Sequence, residues 1–263
     1  MTSHPRPIVF DLDGTLYLEG VLLPGARETI QYLKSIQHPF VFLTNNSSKT
    51  KETYLQKLSD IGLHIEPNQM VSSLDATLDY LHEQSFKRLV VCATPEVEAV
   101  FKDSGFALLS DLDAPGADAV VMTFDTTLTY AKLWLAHEHI RRGAAFIASH
   151  PDVVCPRHGG KTMPDVGAFN ALLSLSTGQI PTVIGKPEAT MVQYLEKLLQ
   201  RRASDMIMVG DRLYTDMAMA QSSGMVSVCV LTGETTREDI AHAPQSPDVV
   251  LDSVADLITA LKL

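Results

Sequence analysis

The chain has 263 residues, enough for one large domain or two moderate ones, and 45% hydrophobic against 20% charged residues is ordinary for a soluble globular protein. Its 31 acidic and 21 basic side chains leave a formal charge of −10. That argues against a nucleic-acid polymer or an anionic membrane as partner, because both ask for a basic face, and it means an anionic substrate must be drawn in by local positive charge.

In chain order, IVFD at 8–11 reads as a buried strand, and PGARETIQYLKSIQ after it sets Ala26, Ile30 and Leu33 at helical spacing. FVFLT at 40–44 is a second β-rich run. Strand, helix and strand in succession make a βαβ unit, which predicts neighbouring, parallel strands. A helix over 50–61 stops at Gly62. The middle of the chain alternates helices around 74–84, 96–104, 129–142 and 165–176 with strands at 89–94, 119–124 and 144–149. The last third offers PTVIGKP, a helix in which Met191, Leu195 and Leu198 share a face, and the strand MIMVG at 206–210. A helix near 214–222, the strand VSVCVL at 226–231, a short VVL strand and a closing helix complete it. Alternation of this kind predicts an α/β protein with a largely parallel sheet.

Three cysteines form no disulfide framework and no zinc spacing, and no apolar run approaches transmembrane length. Cys92 and Cys229 sit in apolar runs as buried hydrophobes, while Cys155 and His158 make only a weak nucleophile–base pair. His137 and His139, two apart on a helix, face different directions. MTSHPRP leads straight into a strand without a signal-peptide core, so the expected location is cytoplasmic.

Reactive groups in such sheets collect at the carboxyl ends of the strands. Asp11-Leu12-Asp13-Gly14-Thr15 follows IVF, and Thr44-Asn45-Asn46 follows FVFL. Lys186 stands in IGKPE at the start of a helix, and Gly210-Asp211 follows IMV with Asp216 further on. Taken singly, most of these also read as turn or capping chemistry. Lys186 resists that reading: with Pro187 suited to the first helical position, the cation lies near the positive end of a helix dipole. Asp11 and Asp13 project from one side of their strand and repel unless something compensates. Three carboxylates at adjacent strand ends make a hard, oxygen-rich site suited to Mg²⁺. Thr44, the Asn45 amide and Lys186 add donors for an anion, which completes the inventory for a phosphoryl group.

DLDGT, the TN after the second strand, the K of IGKP and GDxxxxD resemble, in order, the four motifs of the haloacid dehalogenase (HAD) superfamily. DGTLY, LTNNSSK, the long insertion before GKP, and GDRLYTD are similar to its NagD-like, p-nitrophenylphosphatase-type branch, over nearly the whole chain. The resemblance implies a Rossmann-like core with a parallel sheet from residues 1–75 and 181–263, and an inserted α/β cap over 76–180. It implies Asp11 as the nucleophile that forms an aspartyl-phosphate, and Asp13 as the general acid and then the base. Mg²⁺ is held, by the same resemblance, by Asp11, the main-chain carbonyl of Asp13, and Asp211. Thr44, Asn45 and Lys186 hold the phosphoryl oxygens, and Asp216 supports Lys186 or the metal's bound water.

Asn46, His150 and Asp152 are the candidate substrate or cap contacts, with loop geometry and helix capping as the alternative for His150 and Asp152; Arg157, His158 and Lys161 either supply positive charge nearby or form a solvated loop. His150-Pro151-Asp152 stands where related enzymes usually have Asn-Pro-Asp, and Pro164-Asp165-Val166-Gly167 where they often have Pro-Gly-Ala-Gly. The expected activity is Mg²⁺-dependent hydrolysis of small phosphomonoesters: nucleoside monophosphates, sugar phosphates or pyridoxal phosphate, with p-nitrophenyl phosphate as an artificial substrate. The partner is then a small phosphorylated metabolite, and a homo-oligomer stays open. Two alternatives remain, a phosphotransferase or mutase on the same core, and a receiver-like phosphoacceptor switch without turnover. Asp13 speaks against the switch, since an acid/base beside the acceptor speeds loss of the phosphoryl group.

Overall fold

A computed structural model describes residues 5–244 and 246–262, with His158 described by its backbone alone. The chain forms two compact units. The first takes Met1–Thr44, Lys51–Val71 and Lys186–Leu263, and the second takes Asn45–Thr50 with Ser72–Gly185.

The first unit is built on six strands in the order Val249–Leu251, Val226–Val230, Ile207–Gly210, Ile8–Asp11, Phe40–Thr44, Met70–Ser72. Numbered along the chain this is the order 3-2-1-4-5-6 of a doubly wound sheet. The βαβ unit is present as expected. Ile8–Asp11 runs parallel to Phe40–Thr44, with Ile8 opposite Phe40 and Asp11 opposite Leu43, and the helix Ala26–Ser35 connects them. Ala26, Ile30 and Leu33 are the buried face of that helix, as their spacing requires. Full burial of side chains such as Ile30 and Leu33 is worth about 1.5–3 kcal/mol each. Phe10, Phe40 and Phe42 pack on one another with ring centroids 5.5–6.3 Å apart and fill the core on that side of the sheet.

The second unit has its own parallel sheet, in the order Thr182–Val183, Ala145–Ala148, Ala119–Met122, Arg88–Cys92, Ala107–Leu108. Val90, Cys92, Val120, Met122 and Phe146 form its core with the helices Tyr130–Arg141 and Val166–Thr177. Cys92 is a buried hydrophobe as expected, and burial pushes its thiol up to about 12. His137 and His139 do diverge: His139 accepts from the Ala117 amide and donates to the Asp111 carbonyl, whereas His137 meets Ser176.

Three features depart from the expectations. An antiparallel hairpin, Val154–Arg157 with Lys161–Pro164, occupies a segment that reads as a Pro- and Gly-rich loop. Its prolines and exposed polar residues hide the two-residue alternation that would mark strands. The helix expected from 214 opens as a π-turn, Leu213–Met217, before the α-helix Ala218–Ser223. Leu198 is 40% exposed, because it lies in the last turn of Ala189–Leu199, past the buried Met191, Val192 and Leu195. Among the described residues no helix is long and apolar enough to cross a membrane.

Candidate active site

Strand order reverses between Ile8–Asp11 and Ile207–Gly210, and in doubly wound sheets the ligand crevice opens at that reversal, beyond the carboxyl ends. Asp11 is the last residue of the first strand, and Asp211 is the first residue after the second. Asp216 is returned to the same place by the π-turn, where its Oδ2 accepts from the Arg212 amide at 3.2 Å. A wide turn of this kind often marks a functional site, because it re-aims one side chain within a helix.

Lys186 joins them. Its ammonium, 2% exposed, donates to Asp11 Oδ1 at 2.5 Å and to Asp216 Oδ1 at 2.6 Å. The helix after it begins at Ala189 with Glu188 as N-cap, and not at Pro187; the Lys186–Pro187 peptide is cis. Two carboxylates therefore compensate the lysine, rather than a ligand at a helix terminus. Burial on its own lowers the Lys186 pKa, but Asp11 and Asp216 outweigh it and hold the amine above its ordinary range, as an ammonium.

Three buried carboxylates against one ammonium leave the site short of positive charge. Asp11 is raised well above the ordinary carboxylate range, chiefly by burial; Lys186 opposes the rise and Asp216 and Asp211 add to it. Asp211 is pushed up to about 7 by burial and then by Asp216, against the pull of the Glu234 amide. Asp211 Oδ2 accepts from that amide at 2.8 Å, while its Oδ1 is buried and has no hydrogen-bond partner among the described residues. Gly14 and Gly233 press on the same carboxylate so closely that a Cβ on either would overlap it. Asp11, Asp211 and Asp216 each bring an oxygen within 4.8 Å of the others. An oxygen-only set with one orphaned buried acceptor fits a hard divalent cation of the Mg²⁺ kind. The expectation from the sequence put the Asp11 and Asp211 side chains on the metal together with the main-chain carbonyl of Asp13; the cluster of side chains holds Asp11 and Asp211 and adds Asp216.

Asp13 is exposed, and its Oδ2 accepts a hydrogen bond from the buried Tyr17 hydroxyl at 2.9 Å. Thr44 is buried at the end of the strand that neighbours Asp11. Asn45, Asn46, His150 and Asp152 belong to the second unit. The Asn45 carboxamide donates to Asp152 Oδ1 at 3.2 Å, and the Asn45 carbonyl accepts from the Ser73 hydroxyl at 2.5 Å. The buried His150 ring has Nδ1 3.6 Å from Asp152 and Nε2 3.6 Å from Asp165. The Asn46 side-chain oxygen closes a turn on the Ser48 amide and hydroxyl.

Sequence reasoning passed over Tyr17, Lys57 and Gly233, and took Asp165 only as a departure from the family pattern. Asp165 carried a signal, since it stands where an N-cap to Val166–Thr177 is wanted and does accept from the Val166 amide. Gly233 carried none, because only the approach of Asp211 requires a glycine there.

Residues 8–107 match the family described as haloacid dehalogenase-like hydrolase, and residues 183–257 match one described as HAD-hydrolase-like. An acid sugar phosphatase of Staphylococcus haemolyticus is 35% identical over 240 residues, 91% of this chain and 90% of its own. The crystal structure of a 4-nitrophenylphosphatase from Thermotoga maritima matches with a TM-score of 0.91 at 37% identity, over 98% of each chain. NagD from E. coli K-12 matches at 0.88 and 26% identity, over 96% of this chain and 98% of that one. The chain belongs to the haloacid dehalogenase-like hydrolase family, in its NagD and p-nitrophenylphosphatase branch. Within that family it is a phosphatase.

Proposed function

We propose that the enzyme is a Mg²⁺-dependent phosphomonoesterase for small phosphorylated metabolites, sugar phosphates foremost, which works through a phosphoryl group carried on Asp11. The observation that carries this is the Lys186 ammonium shared by Asp11 and Asp216 beside the unpartnered Asp211 Oδ1. A buried carboxylate is held ready at a strand end, in a site that still lacks positive charge. The preference for sugar phosphates is supported by the activity named for the Staphylococcus haemolyticus relative.

Asp11, Asp211 and the main-chain carbonyl of Asp13 are the groups we assign to Mg²⁺, with Asp216 beside them. When bound, the ion draws charge from the phosphoryl oxygens and screens Asp11 from them. The Thr44 hydroxyl, the Asn45 amide and the Lys186 ammonium hold those oxygens. Asp11 attacks phosphorus in line, the P–O bond to the leaving group breaks, and Asp13 gives its proton to the departing oxygen. Asp13, now a carboxylate, takes a proton from the water that attacks phosphorus next. Inorganic phosphate leaves and Asp11 is restored. We assign selection of the leaving group to the second unit, with Asn46, His150 and Asp152 as the residues to test. Three free thiols suit a reducing compartment, and we propose the cytoplasm.

The test is phosphate release over a panel of sugar phosphates, nucleoside monophosphates and pyridoxal phosphate, with Mg²⁺ and with chelator. Asp11→Asn is expected to lower turnover by about three orders of magnitude or more. Turnover that survives this substitution, or is indifferent to chelator, overturns the proposal.

A further inference from the structure

Asp13 is exposed, and an exposed aspartate samples several rotamers unless something holds it. Here something does. The chain doubles back just after Asp13: the Gly14 amide donates to the Tyr17 carbonyl at 2.8 Å, and the Tyr17 amide to the Leu12 carbonyl at 3.3 Å. This turn sets the fully buried Tyr17 ring beneath Asp13, with the phenol donating to Asp13 Oδ2 at 2.9 Å. Lys57, on the helix Lys51–Asp60, donates to the phenol oxygen at 2.9 Å. An ammonium has only protons to give, so the phenol accepts from Lys57 and its single proton is committed to Asp13. The direction of the chain is fixed from Lys57 through Tyr17 to Asp13. Asp13 Oδ1 has no hydrogen-bond partner among the described residues.

We propose that Tyr17 and Lys57 are positioning residues for Asp13, holding its carboxyl by Oδ2 so that Oδ1 faces the leaving oxygen with the proton. The inference rests on the reading of Asp13 as the general acid. With Oδ2 accepting from the phenol, the arrangement favours the proton of the neutral acid on Oδ1, the carbonyl oxygen being the better acceptor. That biases in advance which oxygen donates and where it points, an orientation the side chain would otherwise have to find in each turnover.

A buried tyrosine needs a hydroxyl partner for stability alone, so the test must separate orientation from packing. The leaving group does this. A sugar phosphate departs as an alkoxide and needs the proton, whereas p-nitrophenolate is a stable anion that leaves with little help. kcat/KM reports the steps through P–O cleavage, so it is the quantity to compare. Tyr17→Phe keeps the ring; its kcat/KM is expected to fall about 10- to 100-fold on a sugar phosphate and by no more than about threefold on p-nitrophenyl phosphate. Lys57→Met is expected to show the same pattern more weakly, and it carries the test if Tyr17→Phe does not fold. Asp13→Asn should show the pattern most strongly, with the Tyr17→Phe/Asp13→Asn double variant no worse than Asp13→Asn alone.

Equal losses on both esters in folded Tyr17→Phe, no loss on either, or an additive double variant overturns the inference. An Asp13→Asn enzyme that loses both esters alike overturns the acid assignment itself, and the inference with it. Leaving-group dependence in Asp13→Asn without any in Tyr17→Phe or Lys57→Met overturns the inference alone.

Discussion

A carboxylate buried beside two others does not stay charged for free, and Asp211 shows how the chain keeps one in place. Burial and Asp216 push it up to about 7, and one oxygen is tied to the Glu234 amide while the other is left open. Gly14 and Gly233 both crowd its Oδ2. At Gly14 a side chain would also be strained, since φ is +86°. Gly233 has no such positive φ, so a substitution there tests space alone. Gly233→Ala is expected to displace Asp211, abolish divalent-ion binding measured by calorimetric titration, and cost about 1–3 kcal/mol of stability through overpacking. Unchanged ion affinity in this variant would show that the glycine has no part in shaping the site.

At the scale of single elements, two strands of different sheets are tied at their starts by carboxylates. Asp248 Oδ2 accepts from the amide and the hydroxyl of Ser227 at 2.8 Å each, beside the first residue of Val226–Val230. Asp118 Oδ2 accepts from the amides of Lys87 and Arg88, also at 2.8 Å, where Arg88–Cys92 begins. Those backbone bonds hold both carboxyls below the ordinary value of 3.8. A folded-state pKa below the unfolded one contributes stability that is present above pH 3.8 and lost as the pH falls through the folded value. Asp248→Asn should therefore melt below the wild type at pH 7, with the difference shrinking as the pH drops below 4. Solvent screening limits the effect to about 1 kcal/mol or less. A difference that does not change with pH would mean that shape, and not charge, makes the contribution.

For the whole molecule, a formal charge of −10 and a buried acidic cluster both favour the state with a divalent cation bound. Binding to the folded form alone stabilises by mass action, about 2.7 kcal/mol when the ion is at a hundredfold its Kd. For a chain of this size that is roughly 5–10 °C in Tm. Thermal scans in saturating Mg²⁺ and in excess chelator are expected to differ by that amount, and Asp211→Asn is expected to remove the difference. Identical melting in the two conditions would count against a divalent site.

The alternation of apolar runs with helical spacing, read from the chain alone, determined the α/β class and the parallel βαβ start, because those patterns are local and repeat every two or 3.6 residues. The strand-end motifs DLDGT, TNN, GKP and GDRLYTD determined the family, because the chemistry of a phosphoryl site restricts residue types as well as spacing. Tertiary structure alone decided who meets whom. Lys186 reaches Asp11 across 175 positions and Thr232 bonds Gly14 across 218, and both depend on a strand order that no local pattern encodes. Asp216 enters the acidic cluster only because the helix opens with a π-turn. Tyr17 reads as one more apolar residue after DGTL until a helix 40 residues on brings Lys57 to its hydroxyl. The physical reason is the same in each case: hydrophobic periodicity sets which face of an element is buried, whereas a polar contact needs two elements at one distance and angle, and only the packed fold supplies both.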